Sequence, residues 1–166
     1  LLIVCAVGGA LVLAAPAQEP PKPGKEHAQL KRMEGTWDAT MEGGKGTMTY
    51  KMGLGGLWLL SEFTGEFGGM KFQGKGMDTY DPASKKYRGV WADSMSTAPM
   101  LMEGTFDKDN KVLTMTGHGT AMDGKPAQFK STLEIKDDNT MTFNMSLVDK
   151  DGKDQPMIKI TYKRKK

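Results

Sequence analysis

From Trp37 onward the chain repeats one pattern: a short stretch in which apolar and polar residues alternate, then a turn rich in Gly, Asp, Asn or Pro. The clearest stretch is 140–147, where Met141, Phe143, Met145 and Leu147 alternate with Thr140, Thr142, Asn144 and Ser146. Side chains along a strand point alternately to opposite faces, so this spacing predicts a strand with one dry side and one wet side. The same reading predicts strands over 36–42, 47–52, 57–67, 70–80, 87–93, 100–106, 111–117, 127–136, 140–148 and 156–163. The joints between them, such as Gly43-Gly44, Gly68-Gly69 and Asp137-Asp138-Asn139, supply the positive φ or the self-bonding side chains that tight turns need. All are short, whereas parallel strands require crossovers of a dozen or more residues, so neighbours pair as antiparallel hairpins. An open sheet of this size leaves two long unpaired edges, and closure removes both. The predicted fold is all-β: a single closed antiparallel meander barrel of about ten strands. Gly65, Gly74, Gly76 and Gly104 fall inside strands, as at the bends of a closing barrel. Residues 26–33, with Leu30 and Met33 on one face, predict a short helix that must pack on the barrel and cover one end.

The apolar phase of each strand gives the predicted interior. It holds Trp37, Ala39, Met41, Met48, Tyr50, Met52, Leu59, Phe63, Phe67, Met70, Phe72 and Trp91 in the first half. The second half supplies Met100, Met102, Phe106, Leu113, Met115, Phe129, Leu133, Ile135, Met141, Phe143, Met145, Leu147, Ile158, Ile160 and Tyr162. Methionine is the unusual choice, at 14 residues in the chain. Its unbranched, polarizable side chain fills irregular gaps and re-packs around guests of different shape. Two readings follow, an adaptable lining for an apolar ligand and a filler in a solid core. Ten strands permit a cavity without requiring one. The candidate ligand-binding residues are Trp37, Trp91, Asp93, Ser94, Ser96, Met100, Met102, Phe143 and Met145, with the Trp91–Ser96 group at a barrel mouth.

Ahead of the strands, an apolar run over 1–13 leads into Ala15-Pro16-Ala17, a small-x-small cleavage signal. Residues 1–17 therefore read as a secretory signal peptide, 18–25 as a Pro-rich linker and 26–166 as the barrel domain, with the protein exported to the periplasm or beyond. The run is shorter than the roughly 20 residues of a membrane span, and the mature chain contains no other candidate. Cleavage removes Cys5, the one cysteine, and with it disulfides, thiol chemistry and thiolate metal sites. The formal charge of +3 arises partly from the tail Lys163–Lys166, which reads as a solvated end. No interleaved basic and aromatic stripe points to nucleic acid.

Candidate chemistry is sparse. Of the two histidines, His118 falls on the wet phase of its strand, whereas a haem-binding barrel, as in nitrobindin-like proteins of this architecture, needs an inward histidine. Asp93, Ser94 and Ser96 lack a Gly-x-Ser-x-Gly elbow, and turn chemistry accounts for them equally well. Met95, Met100, Met102 and Met122 are soft ligands suited to Cu(I), but no His or Cys joins them. Trp58 lies out of phase beside a Gly-rich bend, where it either anchors a partner or is covered by the helix. No catalytic residue, metal or cofactor is assigned. The expected partner is a small apolar or amphipathic ligand, with a structural or protein-binding module as the alternative and a weak hydrolase or copper site behind it.

Gly35-Thr36-Trp37 after a short helix resembles the Gly-x-Trp opening of calycin-like barrels such as lipocalins. In that group a basic residue of the last strand covers the tryptophan, a role the resemblance offers to Arg164 or Lys163. Asp78-Thr79-Tyr80 departs from the lipocalin Thr-Asp-Tyr. Tyr80-Asp81-Pro82, Lys86-Tyr87, Trp91-Ala92-Asp93-Ser94-Met95-Ser96, Glu103-Gly104-Thr105, Gly124-Lys125-Pro126 and Ile160-Thr161-Tyr162 are similar to the bacterial domain-of-unknown-function family 1579. That resemblance implies the fold and export, and no activity.

Overall fold

The computed structural model describes residues 19–121 and 123–166; the expected signal peptide, residue 18 of the linker and Met122 lie outside the described residues. A short helix, α1 (Lys25–Lys31), leads into β1 (Gly35–Met41), β2 (Gly44–Gly53), β3 (Trp58–Phe67), β4 (Met70–Asp81) and β5 (Lys86–Asp93). β6 (Met100–Phe106), β7 (Val112–Thr120), β8 (Pro126–Asp137), β9 (Thr140–Val148) and β10 (Asp154–Arg164) complete the chain. Each strand pairs antiparallel with the next, and β10 returns to β1, so the sheet is a closed ten-strand meander barrel as the alternation predicts. Closure runs from Trp37 opposite Arg164 to Met41 opposite Ile160.

The helix ends two residues earlier than its sequence pattern suggests, because the N–H groups of Arg32 and Met33 bond back to Gln29 and Leu30 in a tighter turn. Its buried face is the expected one: Leu30 and Met33 are enclosed within the core. Tyr87 of β5 donates its hydroxyl to the Glu26 carbonyl, and Arg32 donates to the Asn110 carbonyl, tying the helix to the joints at that end of the barrel. The opposite end, formed by the joints 42–43, 68–69, 94–99, 121–125 and 149–153, has no such cover among the described residues.

The tightest packing lies under the helix, where Trp37, Leu30, Leu59 and Met141 are fully buried. Trp37 donates its indole N–H to the Met33 carbonyl at 2.8 Å. The Arg164 guanidinium lies over the ring at 4.0 Å and donates to the carbonyls of Glu34 (2.6 Å), Asp138 (2.6 Å) and Arg32 (3.1 Å). Of the two basic candidates, Arg164 therefore covers the tryptophan, while Lys163 points outward to the Thr140 hydroxyl. Gly35 holds φ at +132°, and a Cβ there would collide with the Arg164 guanidinium. One guanidinium thus joins the last strand to the helix turn, the first strand and the joint before β9.

Three expectations from the apolar phase need correction. Phe67 and Met70 are 42 % and 52 % exposed, because β3 and β4 extend past the lumen to the open rim, where the two-residue turn Gly68-Gly69 leaves nothing opposite them. Thr142, on the polar phase of β9, is buried between Glu134 of β8 and Thr161 of β10, whose side chains flank it in register. Trp58, which was not part of the apolar phase, is half-buried at the start of β3.

Replacing Arg164 by Met keeps an aliphatic cover on Trp37 but removes three charge-assisted hydrogen bonds, and should lower unfolding stability by about 2–4 kcal/mol. Urea denaturation of Arg164→Met beside Lys163→Met measures this; equal midpoints for the two variants would contradict the assigned role.

Candidate functional site

At the open end, β5 carries Trp91 on its inward face. The indole lies flat against β4, in a slot that exists because positions 74 and 76 have no side chain. A Cβ on Gly74 would overlap the ring, and one on Gly76 would sit 2.9 Å from it. The missing side chains at both positions thus seat a ring. The indole N–H donates to Asp93 Oδ2 at 2.9 Å, and Asp93 Oδ1 accepts the Met95 N–H at 2.9 Å. Ser94 exchanges bonds with the Gln73 backbone, its hydroxyl accepting and its N–H donating. The Ser96 hydroxyl accepts the Ala98 N–H at 3.1 Å and lies 3.0 Å from the Ala98 carbonyl. Both hydroxyls and the Asp93 carboxylate are thus engaged, in the 94–99 loop, with Trp91 and with β4. His118 is exposed on the outer face of β7, and His27 accepts the Gly24 N–H within α1 while its ring meets Tyr80 edge-on. Neither histidine is bonded to a loop serine.

Met100 pairs in register with Trp91, and Met102 with Gly89, so the two thioethers continue the lining around the wall. Phe143 and Met145 approach from β9, on the far side of the barrel. Trp91, Met100, Met102, Phe143 and Met145 face inward yet remain only half-buried, in contrast to the fully enclosed residues under the helix. Trp37 is not brought to this group: it lies at the helix end, sealed beneath Arg164. Met95, one of the proposed copper ligands, is 55 % exposed on the rim loop.

The interior contains one acid that the sequence reading did not single out. Asp78 continues the inward phase of β4 after Phe72, Gly74 and Gly76, and its carboxyl occupies the space left by Gly89 on β5. Among the described residues it forms no ion pair and accepts no side-chain or backbone donor, and burial alone pushes its pKa up to about 7. Every fully enclosed side-chain polar atom among the described residues has a hydrogen-bond partner. The unpaired oxygens of Asp78 therefore border open space, which agrees with the area the residue retains although it is surrounded by the wall. Tyr50 of β2 lies close enough to feel both Tyr162 and Asp78, and burial raises both phenols well above their ordinary range. Ser61 of β3 completes the patch, its hydroxyl 2.6 Å from where a Gly76 Cβ would stand. Carrying the period-two phase of β4 beyond Phe72 would have found Asp78; the two glycines in that phase concealed it.

Two surface grooves are also present. One of about 710 Å³ crosses the outer face of β1 to β4 between Asp38, Lys45, Thr64 and Lys71. The other, about 590 Å³, lies at the open rim between Met41, Phe67, Met157 and Lys159. Neither is lined by the nine residues selected from sequence. Among the described residues no group of three His, Cys, Asp or Glu side chains converges on a point, and no helix is long and apolar enough to cross a membrane.

A family model described as "Protein of unknown function (DUF1579)" matches residues 22–164. No curated protein matches the chain.

The raised pKa of Asp78 makes stability depend on pH. Between about pH 4 and 7 the folded carboxyl keeps a proton that the unfolded chain has released, so stability falls across that window and is level above it. A shift from 3.8 to about 7 corresponds to about 4 kcal/mol. Asp78→Asn should remove this slope and be more stable than the parent at pH 8, with the two converging near pH 4. Chemical denaturation of both proteins at several pH values checks it; parallel curves would show that Asp78 is solvated.

Proposed function

The chain belongs to the DUF1579 family, and we propose that its barrel is a binding protein that holds a small apolar or amphipathic molecule, without covalent bonding, in the half of the lumen nearest the open end. The carrying observation is the asymmetry of the interior. Under the helix, Trp37, Leu59 and Met141 have no accessible surface, while Trp91, Met102, Phe143 and Met145 face the same lumen and keep some. Exposure at the rim, as at Phe67 and Met70, needs no cavity, but in a filled barrel Met102, Phe143 and Met145, which lie further inside, would resemble the first group. Binding sites of this kind are concave and mostly apolar, with a few placed polar groups, and the methionine and aromatic wall with Asp78 and Tyr50 fits that description.

The driving force is the displacement of water from the thioether and aromatic wall, at roughly 25 cal/mol per Å² of apolar surface covered. Methionine suits such a wall because its unbranched, freely rotating thioether side chain re-packs around guests of different shape. The apolar run and Ala-Pro-Ala motif at 1–17 support export, which places the barrel where it would meet its guest outside the cytoplasm.

Titration with the fluorescent apolar probe N-phenyl-1-naphthylamine should show saturable binding, weakened at least about ten-fold by Met145→Trp, which fills the lumen, and unchanged by Leu101→Trp on the outer face. Absence of saturable binding, or equal effects of the two tryptophans, would leave the filled-core, partner-binding reading in its place.

A further inference from the structure

We propose that the guest carries a basic nitrogen and enters head first, with its ammonium group seated against Asp78 inside the lumen and its apolar part along the methionine wall toward the mouth. This rests on the binding reading above and specifies its ligand class. Asp78 lies three residues before the end of β4, the end that the helix covers, and Gly89 opposite it is near the start of β5. The carboxyl therefore lies inside the lumen, level with Met102, which also pairs with Gly89, whereas Met100 opposite Trp91 lies nearer the open rim.

The wall around the carboxyl offers no counter-charge. On the inward phase of the described strands Arg164 is the one basic residue, and its guanidinium is spent on three carbonyls over Trp37. The exposed lysines that pair with acids do so on the outside, as Lys86 with Glu103 and Lys130 with Asp154. Tyr50 lies beside Asp78 and Tyr162 beside Tyr50, the Met115 methyl shares the space at Gly89, and Ser61 and the Trp91 ring meet over Gly76, two residues along β4. Electron-rich rings attract cations, and hydroxyl oxygens accept from N–H donors. A buried acid without a partner is costly, and a guest that brings the missing positive charge is favoured over one of equal size that does not. The glycine at position 89 is part of the same arrangement, since any side chain there would displace the carboxyl.

The discriminating probes are n-octylamine, n-octanol and octanoate, which share one tail and differ in the head. Isothermal titration at pH 8 should show octylamine binding at least about ten-fold tighter than octanol, octanoate weakest, and the preference for amine over alcohol lost in Asp78→Asn. An independent readout in the unaltered protein is the carboxyl carbon of Asp78 in a ¹³C spectrum at pH 6, which octylamine should move toward the ionised position and octanol should not. Octanol binding as tightly as octylamine, or an amine preference that survives Asp78→Asn, overturns the head-group assignment while leaving the apolar pocket standing. Failure of all three probes to bind overturns both.

Discussion

Closure of the sheet by pairing the first strand with the last is the constraint on which everything else depends. A period-two pattern alone makes strands that are half dry, and half-dry strands have nowhere to put their apolar faces until a wall curls back on itself. Here the seam is not left to backbone bonds alone. Arg164 holds β10 against the turn after α1, against the Trp37 ring and against the joint before β9, so one guanidinium fixes the seam, the floor and the helix together. Its three carbonyl acceptors are groups that would otherwise need water. The cation rests on the ring that fills the floor, and Gly35 leaves it room.

With the seam fixed, the interior is shaped as much by missing side chains as by present ones. The small positions Gly74 and Gly76 receive the Trp91 ring, and Gly89 receives the Asp78 carboxyl. Volume removed from one strand is thus occupied from its neighbour, which orients the indole with its N–H toward Asp93 and its face toward the lumen. The result is a graded interior, dense beneath the helix and looser toward the rim. A polar patch lies at the boundary, where Tyr50 neighbours both Asp78 and Tyr162 without a basic residue among them.

Fold class, strand number, pairing sense and the helix that covers one end were all legible, because each depends on local alternation and turn chemistry. Arg164 as the cover of Trp37 was legible only as one of two choices, since the phase of the last strand at its frayed end decides between neighbours. Phe67 and Met70 misled because alternation reports which way a side chain points, and not whether a wall stands opposite it. The Trp91–Ser96 segment lies at a mouth, and the local bonds of Asp93 and Ser96 are the turn chemistry that its composition suggested, whereas the bond from Ser94 to Gln73 of β4 is tertiary and leaves no trace in spacing. Asp78 was passed over for the opposite reason: an acid on a strand is ordinarily solvent-facing, and its inward position follows only when Gly74 and Gly76 are accepted as members of the buried phase.

The bond from Arg164 to the Glu34 carbonyl spans 130 residues of chain. Contacts that distant form last, because the intervening loop must be ordered before they repay its entropy. A nascent polypeptide that has not yet reached β10 holds β1 to β9 as hairpins but has no seam, and so cannot lock. The cylinder closes in a late event, and synthesis interrupted before β10 leaves an open ribbon with two adhesive edges instead of a weakened barrel.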